Sequence, residues 1–164
     1  MSDHPVTGRA TARLASGRDL PDLERLYRLL AAEMEALRPV WPLTDGLPEP
    51  AAGALERMLG AADWRLILGL LESTPVGYLA WRDEPMLPQA GGERIAAVRY
   101  LFTEPEARHV GVGEAMVSLY LDEAMARGFR RFDAHLSPGH REAKNFFESN
   151  GFKARSIVMY RDDT

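Results

Sequence analysis

Residues 104–113 read Glu-Pro-Glu-Ala-Arg-His-Val-Gly-Val-Gly and contain an R-x-x-G-x-G pattern that runs from Arg108 to Gly113. The pattern follows Arg94–Thr103, whose β-branched and aromatic residues predict a strand. It opens Gly111–Arg127, an apolar stretch predicted to be a helix. The N–H groups at a helix start attract anions, and Arg108 could add a charge-assisted contact. The pattern therefore indicates a pyrophosphate site, although simple turn chemistry at a helix start gives the same spacing.

Two other phosphate-binding motifs do not fit this stretch. No third glycine completes a G-x-G-x-x-G dinucleotide fingerprint, and the pattern lies past the middle of the chain. No Gly-Lys-Ser or Gly-Lys-Thr follows either, which excludes the phosphate-binding loop of nucleoside triphosphatases.

Length and composition describe one packed domain. The chain has 164 residues, of which 46% are hydrophobic and 27% are charged. This length predicts a single domain, and this composition excludes disordered, collagen-like and coiled-coil classes. The chain has no cysteine, which excludes disulfides, a thiolate zinc site and a cysteine nucleophile.

Charge and hydropathy argue against two classes of partner, nucleic acid and membranes. The net charge of −4 argues against nucleic acid as a ligand, because phosphate backbones require a basic face. The longest aliphatic stretch, Leu66–Leu71, is too short to span a membrane, and the first ten residues lack the apolar core of a signal peptide. A cytoplasmic protein with no membrane partner is predicted.

Periodicity and turn residues predict alternating elements. The predicted strands are 11–15, 64–71, 76–81, 94–103, 130–136 and 153–160. The predicted helices are 19–38, 51–62, 111–127 and one that ends at Asn150-Gly151. Four prolines between Pro39 and Pro50 predict a loop that carries Trp41. This order indicates an α/β fold, an α+β sandwich with a mixed sheet of about six or seven strands and helices on both faces.

Four segments together resemble one known family. Residues 104–113 look like the acetyl-CoA signature of the GNAT superfamily of N-acetyltransferases, whose loop reads Q/R-x-x-G-x-G/A. Residues 75–78 resemble the family's third-strand element, and residues 143–152 resemble its A-x-x-F-Y-x-x-x-G-F helix. A hydrophobic strand, 156–160, then follows. The resemblance covers about residues 8–161, so residues 1–164 are expected to form a single GNAT-like domain.

The resemblance implies a reaction. The expected fold has a mostly antiparallel sheet with a splay between the fourth and fifth strands, Arg94–Thr103 and Arg130–Leu136. Acetyl-CoA is the expected co-substrate, no metal is expected, and a primary amine of a small molecule or peptide would attack directly in a ternary complex. Main-chain groups of Leu101 and Phe102 would polarise the thioester carbonyl. An acyl-CoA-binding sensor or scaffold with little turnover is the alternative.

The same resemblance implies a cofactor-binding set at the strand end, the loop and the last helix. Its members are Leu101, Phe102, Thr103, Arg108, His109, Val110, Gly111, Val112, Gly113, Glu114, His140, Ala143, Phe146 and Phe147. His140 could hydrogen-bond the cofactor or merely occupy the first helical turn.

Two positions at which family members often carry a proton-transferring side chain depart from that pattern. The helix position at which many members carry a tyrosine that protonates the leaving thiolate is Phe147, and the strand position of a frequent glutamate base is Ala97. Glu104 and His135 are therefore the candidates for moving protons. A solvated carboxylate and a packed or surface histidine are the respective alternatives.

Acceptor-binding candidates are fewer. Arg99 interrupts an apolar strand on the side of Ala97 and could hold a substrate carboxylate or phosphate, or could form a surface salt bridge. Tyr27 and Trp41 lie in the region that varies with the acceptor across the family, and Trp41 could instead pack against the domain. Dimers are common in the family, so a homodimer is considered, but no sequence feature decides it.

Overall fold

The computed structural model of the chain describes residues 9–136 and 141–164. Its strands are β1 Ala10–Leu14, β2 Trp64–Leu71, β3 Thr74–Pro85, β4 Arg94–Thr103 and β5 Phe132–Ala134. Its α-helices are α1 Leu20–Leu37, α2 Trp41–Thr44, α3 Ala51–Gly60, α4 Val112–Ala126 and α5 Arg141–Ser149. No helix among these residues is both long enough and apolar enough to cross a membrane.

The strands form one sheet in chain order from β1 to β5. Neighbouring strands are antiparallel except β4 and β5, which run parallel and pair only from Ala96 to Val98 on β4. Beyond Val98, β4 continues to Thr103 while β5 ends at Ala134. The predicted mixed, mostly antiparallel fold is confirmed, and its splay begins after Val98.

Helices cover both faces of the sheet, as predicted. On one face, α1 and α3 bury an apolar stripe against Leu66, Leu68 and Tyr78. On the other face, α4 and Phe147 of α5 cover a core around Trp81. These two clusters supply most of the buried apolar area, which is the main favourable contribution to folding.

The predicted strand at 153–160 is not formed in the described part of the chain. Residues 156–160 belong to no helix or strand and are exposed, with Ile157, Val158 and Met159 at 80–86% exposure. Their composition favours a strand, but a strand also needs a partner for its backbone N–H and C=O groups. Across residues 9–136 and 141–164, the sheet therefore has five strands rather than the predicted six or seven.

The prediction of an irregular 39–50 segment also needs correction. Residues 41–44 form the short helix α2, whose second residue, Pro42, is at a position where a missing N–H costs nothing. Trp41 is only 6% exposed, and its ring centroid lies 6.4 Å from that of Tyr27. Trp41 therefore packs against the domain, which was one of the two roles that its sequence position allowed.

Helix α4 lies very close to β2 because residue 69 is glycine. A Cβ atom at Gly69 would lie 2.6 Å from Val112 Cγ1 and 2.8 Å from Met116 Sδ. These distances are shorter than real Cβ contacts, so any side chain at this position must displace the Val112 and Met116 side chains of α4.

Gly69→Ala is expected to destabilise the domain by about 1–3 kcal/mol, the usual cost of overpacking a core. Chemical denaturation followed by far-ultraviolet circular dichroism measures the change. Gly60→Ala is the matched control, because a Cβ there meets nothing within 4 Å. Equal stability of the two variants would contradict the close α4–β2 contact.

Candidate active site

The loop between β4 and α4 is shaped by left-handed backbone conformations. Gly111, the residue before α4, has φ +96°, and His109 has φ +65°. The first helical hydrogen bond joins the Ala115 N–H to the Gly111 C=O at 2.9 Å. The N–H groups that precede Ala115 are those an α-helix leaves without intrahelical partners, and they lie at its positive end. This geometry suits an anion.

Three parts of the predicted cofactor set meet beside Gly113. A Cβ at Gly113 would lie 3.5 Å from the Phe146 ring of α5 and 4.0 Å from Thr103 Oγ1 of β4. The end of β4, the start of α4 and α5 therefore surround one space. His140 lies outside the described residues.

Arg108 connects β4 to α1. Its Nε donates to the Thr103 carbonyl at 2.9 Å, and its Nη2 donates to both Glu33 carboxylate oxygens at 2.9 and 3.0 Å. The guanidinium also lies 5.7 Å from the centre of the Phe102 ring. Its contact with a pyrophosphate stays a prediction, and binding one would have to compete with Glu33.

A small cleft of about 50 Å³ lies where β4 and β5 separate. Its wall is made by α1, α2, β4, α5 and the chain after β5: Leu30, Met34, Trp41, Val98, Arg99, Tyr100, Leu101, His135, Leu136, Ala143 and Phe147. Most of these side chains are aliphatic or aromatic. Of the predicted catalytic side chains, His135 lines this cleft and Glu104 does not.

A β-bulge and an ion-pair network occupy one end of the cleft. Val98 pairs with Trp81 and Tyr100 pairs with Ala80, which leaves Arg99 as the extra residue. Arg99 Nε donates to Glu84 at 3.1 Å, and its Nη1 lies 3.4 Å from Asp133. The sequence left open whether Arg99 would hold a substrate anion or form a salt bridge, and in this structure it forms salt bridges.

Asp133 is the centre of that network. Its side chain is 8% exposed, and its second oxygen accepts a 2.6 Å hydrogen bond from Arg155. A carboxylate this buried requires such partners, because an unpaired buried charge is strongly destabilising. The network therefore joins β3, β4 and β5 at the point where the last two strands diverge.

His135 follows β5 and borders the cleft. Its backbone N–H donates to the Val98 carbonyl at 3.2 Å, which is the last bond before the strands separate. Burial, followed by the positive charge of Arg99, lowers the pKa of the His135 imidazole from 6.5. At neutral pH the ring is uncharged and can accept a proton.

Glu104, the other candidate, is held in an ion pair. Its carboxylate contacts the guanidinium of Arg25, which also donates to the Pro75 carbonyl at 2.9 Å. This pair joins the end of β4 to α1 and to the start of β3. A catalytic role of Glu104 stays a prediction. In the structure, its carboxylate is part of the contact that holds these three elements together.

Tyr27 and Tyr100 shape the region around Trp41. The Tyr27 hydroxyl accepts a 2.7 Å hydrogen bond from the Leu47 N–H, and the Tyr100 hydroxyl donates to the Asp45 carbonyl at 2.7 Å. Burial raises the pKa of Tyr100 to about 12, so this cleft residue stays protonated near neutral pH. Both tyrosines therefore hold the 44–50 loop against α1 and β4.

The positions that depart from the family pattern are both buried. Ala97 is fully buried on β4, and Phe147 is 2% exposed with its ring 5.1 Å from that of Phe152. Neither side chain can exchange a proton. Within the described residues, no three His, Cys, Asp or Glu side chains gather as a metal site.

Comparison with known protein families identifies the family of this chain. A family model described as the acetyltransferase (GNAT) family matches residues 23–152, which is more than half of the chain. The chain belongs to the GNAT acetyltransferase family. This GNAT membership confirms the resemblance seen in the sequence and the prediction of an acetyl-CoA-dependent acyltransferase. No curated protein matches the chain in sequence.

Solved GNAT-like structures share the fold at low identity. An aminoglycoside N-acetyltransferase in complex with CoA is 16% identical, with a TM-score of 0.72, over 98% of this chain and 99% of that one. A ribosomal-protein-alanine N-acetyltransferase from Brucella melitensis is 18% identical, with a TM-score of 0.69, over 94% and 100%. An aminoglycoside acetyltransferase from an uncultured soil sample, solved with sisomicin, is 20% identical, with a TM-score of 0.70, over 94% and 95%. At these identities the likeness shows the fold alone.

Several cleft residues were not singled out from the sequence. Leu30 and Met34 belong to the apolar stripe of α1, which predicts only a buried face. Tyr100 and Leu136 carry no motif. Their roles depend on where β5 ends, and β5 ends at Ala134 rather than at the predicted Leu136.

The lowered pKa of His135 predicts a pH dependence of folding. Stability contributed by the neutral ring is fully present above the unfolded pKa near 6.5 and is lost as pH falls through the lower folded pKa, because the unfolded chain binds the proton first. His135→Gln should flatten this part of the curve of unfolding free energy against pH. An unchanged curve would contradict the burial of His135.

Proposed function

We propose that this chain is an N-acetyltransferase that transfers the acetyl group of acetyl-CoA to a primary amine of a small molecule or peptide by direct attack. The observation that carries the proposal is the cleft at the separation of β4 and β5, with the anion-attracting start of α4 nearby. Family membership supports the reaction class.

The chain's own residues fit the acyl carrier. The start of α4 offers N–H groups for phosphates, and β4 beyond Val98 has one edge paired with β3 and its other edge directed away from any described strand. An extended chain with amide groups could add to that edge as a further strand. When bound, acetyl-CoA supplies an activated thioester.

The main catalytic task of the chain is then to position the amine next to the activated acyl group. Leu101 lies in the cleft wall, and main-chain groups of Leu101 and Phe102 are proposed to polarise the acyl carbonyl. Holding an amine at the right distance from an activated acyl group accounts for much of the rate. Neither Ala97 nor Phe147 can assist with proton transfer.

His135 is proposed to take the proton from the attacking amine. It is the residue in the described cleft wall whose ordinary pKa lies near neutral pH, and its lowered pKa keeps it as the free base. Tyr100 is protonated and donates to the Asp45 carbonyl, and Arg99 is held by Glu84 and Asp133.

The cleft wall favours an acceptor with an apolar or aromatic group next to its amine. Leu30, Met34 and Trp41 form one side, and Phe147 lies on another. The nearby carboxylates of Glu84 and Asp133 are already paired with Arg99, so they are not offered to a polycation. Arg99 and Trp41 line the cleft and are the proposed acceptor-side residues, whereas the third predicted residue, Tyr27, is buried beside Trp41 and does not line it.

A binding module that retains the fold is the second candidate. The observation that favours it is the absence of a proton-exchanging side chain at both Ala97 and Phe147. Such a module would bind acetyl-CoA without transferring the acetyl group.

Thiol release separates the two candidates. The enzyme is expected to release free thiol from acetyl-CoA when incubated with amines that carry an aromatic or branched aliphatic group, and more slowly with polyamines. His135→Gln should lower kcat/KM for the amine by about 10²–10⁴-fold, the usual contribution of a general base, while acetyl-CoA affinity stays unchanged. Tight binding of acetyl-CoA without thiol release across the panel would establish the binding module instead.

Gly111→Val tests the proposed phosphate site. A β-branched residue strains the left-handed conformation, so CoA affinity measured by calorimetry is expected to fall at least tenfold, about 1.4 kcal/mol. Gly128→Val is the matched control, because Gly128 has φ +94° just beyond the other end of α4. Equal CoA affinity of both variants and the unaltered chain would contradict the site.

A further inference from the structure

An ion pair joins the loop before α4 to the helix that forms one wall of the cleft. Arg108 Nη2 donates to both carboxylate oxygens of Glu33 at 2.9 and 3.0 Å. Glu33 lies on α1 one turn after Leu30 and next to Met34, and both of these residues line the cleft. The side chains of the pair are 22% and 28% exposed. Glu33 is therefore a partly buried carboxylate at the rim of the cleft, and Arg108 covers its charge.

Arg108 is anchored at the end of β4, beside the proposed phosphate site. Its Nε donates to the Thr103 carbonyl at 2.9 Å, and its guanidinium lies 5.7 Å from the centre of the Phe102 ring. A pyrophosphate carries more negative charge than one carboxylate, and a guanidinium can bind it through two parallel hydrogen bonds. A pyrophosphate at the start of α4 therefore competes with Glu33 for this guanidinium.

Loss of the Arg108 contact would leave the charge of Glu33 uncompensated. Arg25 and Arg28, the two arginines that precede it on α1, are held in ion pairs with other carboxylates. An unpaired carboxylate that is partly removed from water is destabilising, so it favours the arrival of another cation. A cation that enters the cleft next to Glu33 can supply that charge.

We infer that Glu33 binds the ammonium group of the acceptor, and that acetyl-CoA uncovers Glu33 by drawing Arg108 to the pyrophosphate. One internal ion pair is thereby exchanged for two, Arg108 with the pyrophosphate and Glu33 with the ammonium group. Each ligand therefore favours the binding of the other, and the two effects must be equal in size. The inference rests on the proposed acetyl transfer and adds to it the residue that recognises the acceptor's charge.

Glu33 selects the charged form of the amine, and His135 remains the proposed proton acceptor. An ordinary primary amine has a pKa well above neutrality, so the acceptor arrives as an ammonium ion. Transfer of one proton from this ion to the neutral His135 ring leaves a neutral amine and an imidazolium. Because Glu33 offers one carboxylate beside an apolar wall, the recognised acceptor is a monoamine with an apolar body.

Calorimetric titration of the full chain with CoA tests the competition, because CoA carries the pyrophosphate but no acetyl group to transfer. Glu33→Gln is expected to raise CoA affinity about tenfold, since Arg108 no longer has to leave a carboxylate. Arg108→Gln should lower it. Glu35→Gln is the matched control, because it removes the same charge from an exposed position of the same helix and should leave CoA affinity unchanged. A lower CoA affinity of Glu33→Gln would overturn the inference, since the pair would then only hold the phosphate site in shape.

Phenethylamine, an aromatic monoamine, tests the coupling between the two ligands. Its presence is expected to raise the CoA affinity of the unaltered chain about tenfold, within the usual range of coupling between two sites. It should leave the CoA affinity of Glu33→Gln unchanged. Phenethyl alcohol with an equal concentration of sodium chloride has the same apolar body without the charge and should have no effect on either protein. Far-ultraviolet circular dichroism checks that the variants remain folded.

The outcomes separate this inference from the proposed function. If CoA binds and phenethylamine leaves its affinity for the unaltered chain unchanged, the inference is overturned while the proposed acetyl transfer stands. An equal increase in the unaltered chain and in Glu33→Gln would also overturn it, because the ammonium group would then bind elsewhere. Failure of the unaltered chain to bind CoA would overturn both.

Discussion

The short parallel pairing of β4 with β5 is the constraint on which the rest of this structure depends. Backbone pairing stops after Val98, where Arg99 forms a bulge and is held by carboxylates from β3 and β5. The bulge redirects β4, and the ion pairs keep the three strands together up to the point of divergence. A cleft therefore opens inside a sheet that is otherwise continuously hydrogen-bonded, and His135 borders it.

The loop after β4 places the positive end of α4 next to that cleft. Gly111 lets the chain turn into α4, and Gly69 lets α4 lie close to the sheet, so the positive end of the helix lies near the open end of β4. The positive end of α4 and the apolar cleft thus lie at neighbouring positions along β4. The proposed phosphate site therefore depends on the local positive end of α4 and not on the net charge of the chain, which is −4.

The sequence predicted most of what is local and less of what depends on distant partners. The α4 start and its left-handed glycine follow from adjacent residues, and so does the amphipathic α1. The prediction of a strand at 156–160 was wrong, because β-propensity does not show whether a neighbouring strand is available for backbone pairing. The ion pairs of Arg99 and Asp133 connect residues 84, 99, 133 and 155, so no local pattern contains them. The burial of Trp41 likewise depends on packing against Tyr27.

Initial-velocity kinetics with acetyl-CoA and an amine acceptor test the central claim, direct transfer within this cleft, most directly. If both substrates must be bound together, double-reciprocal plots at several fixed acceptor concentrations intersect. Parallel lines would show that the acetyl group is first transferred to the protein, and they would contradict the account.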